Sequence, residues 1–133
     1  MVLEVLFAAI YMVAAAVTLW SRTQVGAFLA DTRSIATEAD LDRFKELARL
    51  EMYLALTLIV LLGAGIITGL VLVKRYGIMG LLVVILVNVV VFGLGMFHKG
   101  AEDKAKNLQA TDALKTEYRR VCYAWAKKVL PNF

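Results

Sequence analysis

Residues 52–97 read MYLALTLIVLLGAGIITGLVLVKRYGIMGLLVVILVNVVVFGLGMF. Lys74 and Arg75 are the only charged residues in this stretch, and they divide it into two uncharged segments of about 20 residues each. At about 1.5 Å per residue, an α-helix of that length crosses the roughly 30 Å hydrocarbon core of a bilayer. The stretch therefore predicts a hairpin of two transmembrane helices, at residues 52–73 and 77–97.

A third segment of membrane-spanning length lies near the N-terminus, where residues 5–21 carry no charged side chain. The three alanines at 14–16 could form a signal-peptide cleavage site, but a signal peptide begins with basic residues. The first residues here include Glu4 and neither Lys nor Arg. We therefore expect a retained first span at residues 3–21.

The composition favours one all-helical membrane domain over residues 1–133. The chain is 61% hydrophobic with a mean hydropathy of +0.73, which is too apolar for a soluble domain of 133 residues. Pro131 is the only proline and Cys122 the only cysteine, so the helices have no interior proline and no internal disulfide can form. We predict an all-α integral membrane protein with three transmembrane helices, cytoplasmic helical extensions and an amphipathic C-terminal helix.

Basic residues are distributed unevenly between the two sides of a three-span chain. The N-terminus and the 74–75 turn share one side with two basic residues, whereas residues 22–51 and 98–133 share the other with thirteen. The positive-inside rule therefore places loop and tail in the cytoplasm and the N-terminus outside. A bacterial inner (plasma) membrane is the simplest location. The thirteen residues are Arg22, Arg33, Arg43, Lys45, Arg49, Lys99, Lys104, Lys106, Lys115, Arg119, Arg120, Lys127 and Lys128.

The region before the second span is predicted to be helical. Thr37 is a suitable N-cap because acidic residues follow it in the first turn, and no helix breaker lies between Thr37 and Gly63. One helix is therefore expected from about 38 to 74, extending about 20 Å beyond the membrane. The third span should continue past His98 until its periodic pattern fades near Leu108.

The tail segment 112–130 has a clear amphipathic pattern, because its apolar residues fall within about 100° of arc at helical spacing. Such a helix could lie on the inner leaflet and contact anionic lipid through its basic residues. It could instead pack on the apolar side of residues 38–50. We favour this bundle because two amphipathic faces on one side of the membrane can bury each other. The predicted tail interface comprises Phe44, Leu114, Tyr118, Val121, Trp125 and Val129.

Small residues in the second span predict where helices pack. Gly65 and Gly69 form a GxxxG pair, and Ala64 and Thr68 widen the same small-residue surface. Small side chains let helix backbones approach closely, which favours helix association in lipid. The contact could lie within the chain or between subunits, and we favour packing within the chain.

Asn88 is the only amide in the middle of the third span. A central Asn needs a polar partner in hydrocarbon. If the protein has a structural role, we expect the Asn88 side chain to form an interhelical hydrogen bond with Thr57, Thr68 or a backbone carbonyl. The alternatives are a ring of Asn88 side chains from several copies along the water-filled axis of an oligomeric pore, or a contact to a bound ligand.

The sequence contains no recognisable catalytic motif. His98 is the single histidine and the only candidate cofactor ligand, so a bis-histidine haem site within one chain is impossible. Cys122 is expected to be a packed thiol, with palmitoylation as the alternative. Glu4, Glu51 and Glu102 are too far apart in sequence to predict an acid–base pair. We therefore expect no enzymatic activity, no metal and no cofactor.

These features favour a small, non-catalytic, multi-pass membrane protein. We expect an accessory or structural subunit of a membrane complex, or a homo-oligomeric scaffold. Its expected partners are the lipid bilayer and other membrane subunits or copies of itself, and not nucleic acid. The alternative is a small oligomeric pore or transport protein, including a holin-like protein that permeabilises the membrane.

Overall fold

The computed structural model describes residues 1–131 and 133, and in these residues the chain forms four α-helices and two short strands. Three of the helices are long and apolar enough to cross a membrane, which confirms the predicted all-helical class with three helices of spanning length. In chain order the elements are α1 (Val2–Asp31), β1 (Ser34–Ile35), α2 (Glu38–Tyr76), α3 (Ile78–Lys106), β2 (Gln109–Ala110) and α4 (Asp112–Lys127).

Helix α1 continues ten residues beyond the predicted end of the first span at Ser21. The uncharged window ends at Arg22, but residues 22–31 contain no proline, and their single glycine, Gly26, does not interrupt the helix. Val25 and Phe28 in this continuation are buried against the other helices. The end of an apolar run therefore marks the end of a span and not the end of its helix.

Helix α2 begins with a capping box, in which the Thr37 hydroxyl accepts from the Asp40 amide and the Asp40 carboxylate accepts from the Thr37 amide. It ends at Tyr76, two residues later than predicted, because Gly77 adopts a φ of 63° that favours glycine. At Gly80 a Cβ atom would lie 2.7 Å from the Leu72 carbonyl oxygen. Glycine at this position thus allows α3 to fold back closely on α2.

Two short strands join the connections between helices. Ser34 pairs with Gln109 and Ile35 with Ala110 in a parallel arrangement. Two residues are too few to show a strand pattern in sequence, so these strands were not predicted. They tie the α1–α2 connection to the α3–α4 connection.

Most of the buried apolar residues in the described part of the chain belong to two clusters, which lie towards opposite ends of the helices. The span core consists of Phe7, Tyr11 and Leu72, with partly buried apolar residues around them. The larger head core lies at the other end, where the continuations of α1, α2 and α3 meet α4. The head core comprises Val25, Phe28, Ile35, Leu41, Phe44, Leu47, Ala48, Met52, Ala105, Tyr118, Val121 and Trp125.

Candidate functional site

Four polar side chains from three helices meet at the edge of the head core. Ser21 lies on α1, Glu51 on α2, and His98 and Glu102 lie one turn apart on α3. Ser21, Glu51 and His98 are buried, with 1%, 2% and 8% of their surface exposed. This polar cluster lies where the predicted spans pass into the head, since Ser21 ends the first span and Glu51 precedes the second.

The side chains of the polar cluster converge on one atom, Nε2 of His98. Ser21 Oγ, Glu51 Oε2 and Glu102 Oε1 each lie 2.9 Å from this nitrogen. The Ser21 hydroxyl also donates a hydrogen bond to Glu51 Oε2. An imidazole nitrogen has a single hydrogen or a single lone pair, so it can engage only one of these oxygens with good geometry.

Charge and burial make this group of side chains electrostatically unusual. His98 lies just beyond the predicted span 77–97. Its hydrogen bond to Glu102 and, to a smaller extent, its hydrogen bond to Glu51 raise the pKa of His98 from 6.5 to about 9. Burial acts in the opposite direction, because it disfavours the charged imidazolium. Among the described residues, neither Glu51 Oε1 nor His98 Nδ1 has a hydrogen-bond partner, although both atoms are buried.

The polar cluster was not predicted from the sequence, because Glu51 and Glu102 are far apart along the chain and their separation in sequence was the only criterion applied to them. The hairpin turn at Gly77 brings distant residues to similar depth, since Glu51 precedes it by 26 residues and His98 follows it by 21. His98 and Glu102 are also at i, i+4, a spacing that places them on one helix face. These two signals together could have indicated the site.

The predicted tail interface is assembled around Phe44, which has no exposed surface. Its ring centroid lies 4.8 Å from that of Tyr118 and 5.8 Å from that of Trp125. Val121 is buried in the same core, and Leu114 packs at its edge. These contacts are the ones that the bundle interpretation requires.

Val129 does not join this interface. It is 65% exposed and lies beyond the last residue of α4, Lys127, so its place in the predicted list was wrong. Helical periodicity was extrapolated to 130, but the backbone leaves the helical conformation at Lys128.

Polar contacts hold α4 against α2 and α3. The Tyr118 hydroxyl donates to the Ala105 carbonyl at 2.6 Å and accepts from the Leu108 amide at 3.0 Å. Its burial raises the pKa of Tyr118. Lys45 on α2 lies 3.0 Å from Glu117 on α4, and this contact lowers the pKa of Glu117.

The small-residue surface of α2 meets α1 and α3 of the same chain. A Cβ atom at Gly65 would lie 2.7 Å from the Tyr11 ring, and one at Gly69 would lie 3.3 Å from Val84. Ala64 is partly buried beside them. The Thr68 hydroxyl donates to the Ala64 and Gly65 carbonyls, so its polar group is satisfied on its own helix.

Asn88 is paired with Tyr11, which sequence reasoning did not consider. The Tyr11 hydroxyl donates to Asn88 Oδ1 at 3.0 Å, and Asn88 Nδ2 donates to the Val84 carbonyl at 2.7 Å. The suggested threonine partners bind elsewhere, since Thr57 donates to the Tyr53 carbonyl and Thr68 to its own helix. A threonine hydroxyl can reach a carbonyl one turn back, which leaves it no need for a distant amide.

Of the two remaining candidates, His98 has a setting that differs from the one expected, whereas Cys122 packs against the head core, as predicted for a packed thiol. His98 Nε2 faces three oxygen atoms, which suits a proton or a cation and not an apolar porphyrin. The Cys122 thiol donates to the Lys106 carbonyl at 3.5 Å, and burial raises its pKa, so the thiol is a poor nucleophile near neutral pH.

In comparisons with known proteins, no family model, no curated protein and no solved structure matches this chain.

Proposed function

We propose that this chain is a non-catalytic integral membrane protein that acts as a structural or accessory subunit, or as a homo-oligomeric scaffold. The apolar outer surface of the three long helices is evidence that they lie in lipid. Large apolar side chains are exposed along the three long helices, for example Ile78 at 75% and Phe92 at 71%. Apolar surface of this extent is unfavourable in water and favourable in hydrocarbon.

The pairing of Asn88 with Tyr11 carries the preference for a structural protein over a pore. Both polar atoms of the Asn88 side chain have partners within one chain. A pore-lining amide would instead need to point towards water on a shared axis. The alternative of a small oligomeric pore therefore has less support.

The head supports a role in presenting contacts to other proteins. Helix α2 runs without interruption from Glu38 in the head to Tyr76 at the other end of its span. The aromatic side of α4 is buried against Phe44, so it is not available to lie on lipid. The exposed faces of the head would then carry the contacts to partners, held at a fixed distance from the bilayer by α2.

We further propose that the head lies in the cytoplasm of a bacterial cell and that the N-terminus lies outside. The 22–51 segment and the tail pack together in one head, so their thirteen basic residues lie on one side. This arrangement agrees with the positive-inside rule.

Purification in mild detergent tests the proposal directly. The full chain should resist extraction of membranes with alkaline carbonate, and it should co-purify with stoichiometric membrane subunits or as a defined homo-oligomer. Size-exclusion chromatography with light scattering and mass spectrometry would measure both. A lone monomer, or ion flux through liposomes that contain only this protein, would contradict the structural role.

A further inference from the structure

We propose that Glu51, His98 and Glu102 bind one divalent first-row transition-metal ion, of the Zn²⁺ or Mn²⁺ class, at the junction of the spans and the head. One ligand atom from each of the three residues lies within 4.8 Å of the others. Two ligand atoms on a tetrahedral ion with bonds of about 2.0–2.2 Å are roughly 3.3–3.6 Å apart. The present spacings of 2.9 Å from His98 Nε2 to each carboxylate would therefore need to widen by roughly half an ångström.

The number of acceptors around His98 favours an ion over a simple hydrogen-bonded network. Oxygen atoms of Ser21, Glu51 and Glu102 each lie 2.9 Å from Nε2. One N–H hydrogen cannot satisfy three oxygens that approach from different helices. A metal ion offers several coordination positions at once, and the nitrogen and both carboxylates can fill them.

An independent observation concerns the second oxygen of Glu51. This side chain is only 2% exposed, and its Oε1 atom has no hydrogen-bond partner among the described residues. A buried carboxylate oxygen without a partner is destabilising. Bidentate coordination would satisfy both oxygens, while the Ser21 hydroxyl holds Oε2 by its hydrogen bond.

Charge balance and ligand type indicate the class of ion. As metal ligands, both glutamates are carboxylates and the imidazole is neutral, so the three side chains carry a charge of −2 that one divalent ion balances. A proton on Nε2 would leave to solvent when the ion binds. The Lys106 ammonium lies 3.8 Å from the second oxygen of Glu102, at the edge of this group. A set of imidazole and carboxylate ligands suits zinc, manganese or iron, whereas magnesium and calcium prefer oxygen ligands alone.

Such an ion would have a structural consequence that is independent of the proposed function. Glu51 lies on α2, and the other two ligands lie on α3. A bound metal ion would therefore link α2 to α3 at the end of the hairpin that lies far from the turn at Gly77. Helix α1 would be held through Ser21.

Metal titration of the full chain in mild detergent tests this site. After treatment with a chelator, the wild type should bind one Zn²⁺ per chain by calorimetry, with Mg²⁺ unable to compete. Glu102→Gln and Glu51→Gln should each lower Zn²⁺ affinity by about 100-fold or more, since even supporting residues can contribute 10- to 100-fold. Matched controls on the same two helices are Asp103→Asn and Glu46→Gln, which are exposed and should bind like the wild type.

A spectroscopic test keeps the proposal falsifiable if Glu51→Gln does not fold. In a Cys122→Ala background, His98→Cys loaded with Co²⁺ should show a thiolate-to-cobalt charge-transfer band, whereas Gly100→Cys should not. Absence of Zn²⁺ binding by the wild type, unchanged affinity in Glu102→Gln, or Co²⁺ bound to His98→Cys without that band would each overturn the site.

Discussion

At the scale of single residues, glycine at position 65 is required by one aromatic ring. A Cβ atom there would lie 2.7 Å from Tyr11 Cε2, whereas a Cβ at Gly63, two residues earlier, would meet nothing within 4 Å. We therefore expect Gly65→Leu to destabilise the protein by about 1–3 kcal/mol, the usual cost of overpacking. Gly63→Leu is the matched control and should have little effect.

Thermal unfolding in detergent would measure this difference. The Tyr11 ring cannot move freely, because it is buried and its hydroxyl is bonded to Asn88. Equal melting temperatures for the two leucine variants would mean that the α1–α2 contact differs from the one described.

At the scale of elements, the packing of α4 on α2 depends on the aromatic contacts of Phe44. Phe44→Leu and Trp125→Leu should each destabilise the head, and their effects should be non-additive because the two rings are 5.8 Å apart. Coupling between residues in contact is typically about 0.5–3 kcal/mol. Tyr123→Leu, at an exposed position of the same helix, is the control and should be additive with Phe44→Leu.

Chemical denaturation in detergent, followed by tryptophan fluorescence in the Phe44 series and by circular dichroism for the Trp125 variants, would give these free energies. An α4 helix that lies on the bilayer would instead show additive effects. An isolated peptide of residues 110–133 would then bind anionic vesicles with salt-dependent affinity.

Local sequence signals predicted most of these elements. Thr37 and the acidic residues in the turn after it correctly predicted the start of α2, because an N-cap depends only on residues that are neighbours in sequence. The apolar arc of α4 likewise predicted Tyr118, Val121 and Trp125 as buried residues. The continuation of α1 to Asp31 and the β1–β2 pair were missed, since both are stabilised by contacts distant in sequence.

At the scale of the whole molecule, the proposed orientation makes a specific labelling prediction. Ala39→Cys and Ala113→Cys lie at exposed positions in the head, and Tyr76→Cys lies at the hairpin turn, outside both neighbouring spans and at the opposite end of the helices. In a Cys122→Ala background, a membrane-impermeant maleimide should label only Tyr76→Cys in intact spheroplasts.

Lysis of the spheroplasts should expose the two head cysteines to the reagent, which controls for their intrinsic reactivity. Labelling of either head cysteine before lysis would reverse the proposed orientation. Because the two head positions lie before the second span and after the third, and the turn position lies between these spans, the labels also test whether the second and third spans both cross the membrane.

The sequence alone determined the helical class, the three apolar helices and the amphipathic character of α4. These properties follow from hydropathy and from spacing along a single helix, where every contributing residue is a near neighbour. It also supplied the contact surfaces at Gly65, Gly69 and Phe44, because small residues and apolar arcs are visible without a partner.

Only the tertiary structure decided which of these surfaces and side chains meet. Tyr11 and Asn88 are 77 residues apart, as are Ser21 and His98, and Glu51 is 47 residues from His98. Partners at such distances are set by how three helices rotate and pack against one another. That is why His98 looked like an isolated boundary residue in the sequence, while in the folded chain it lies at the centre of a buried group of carboxylates.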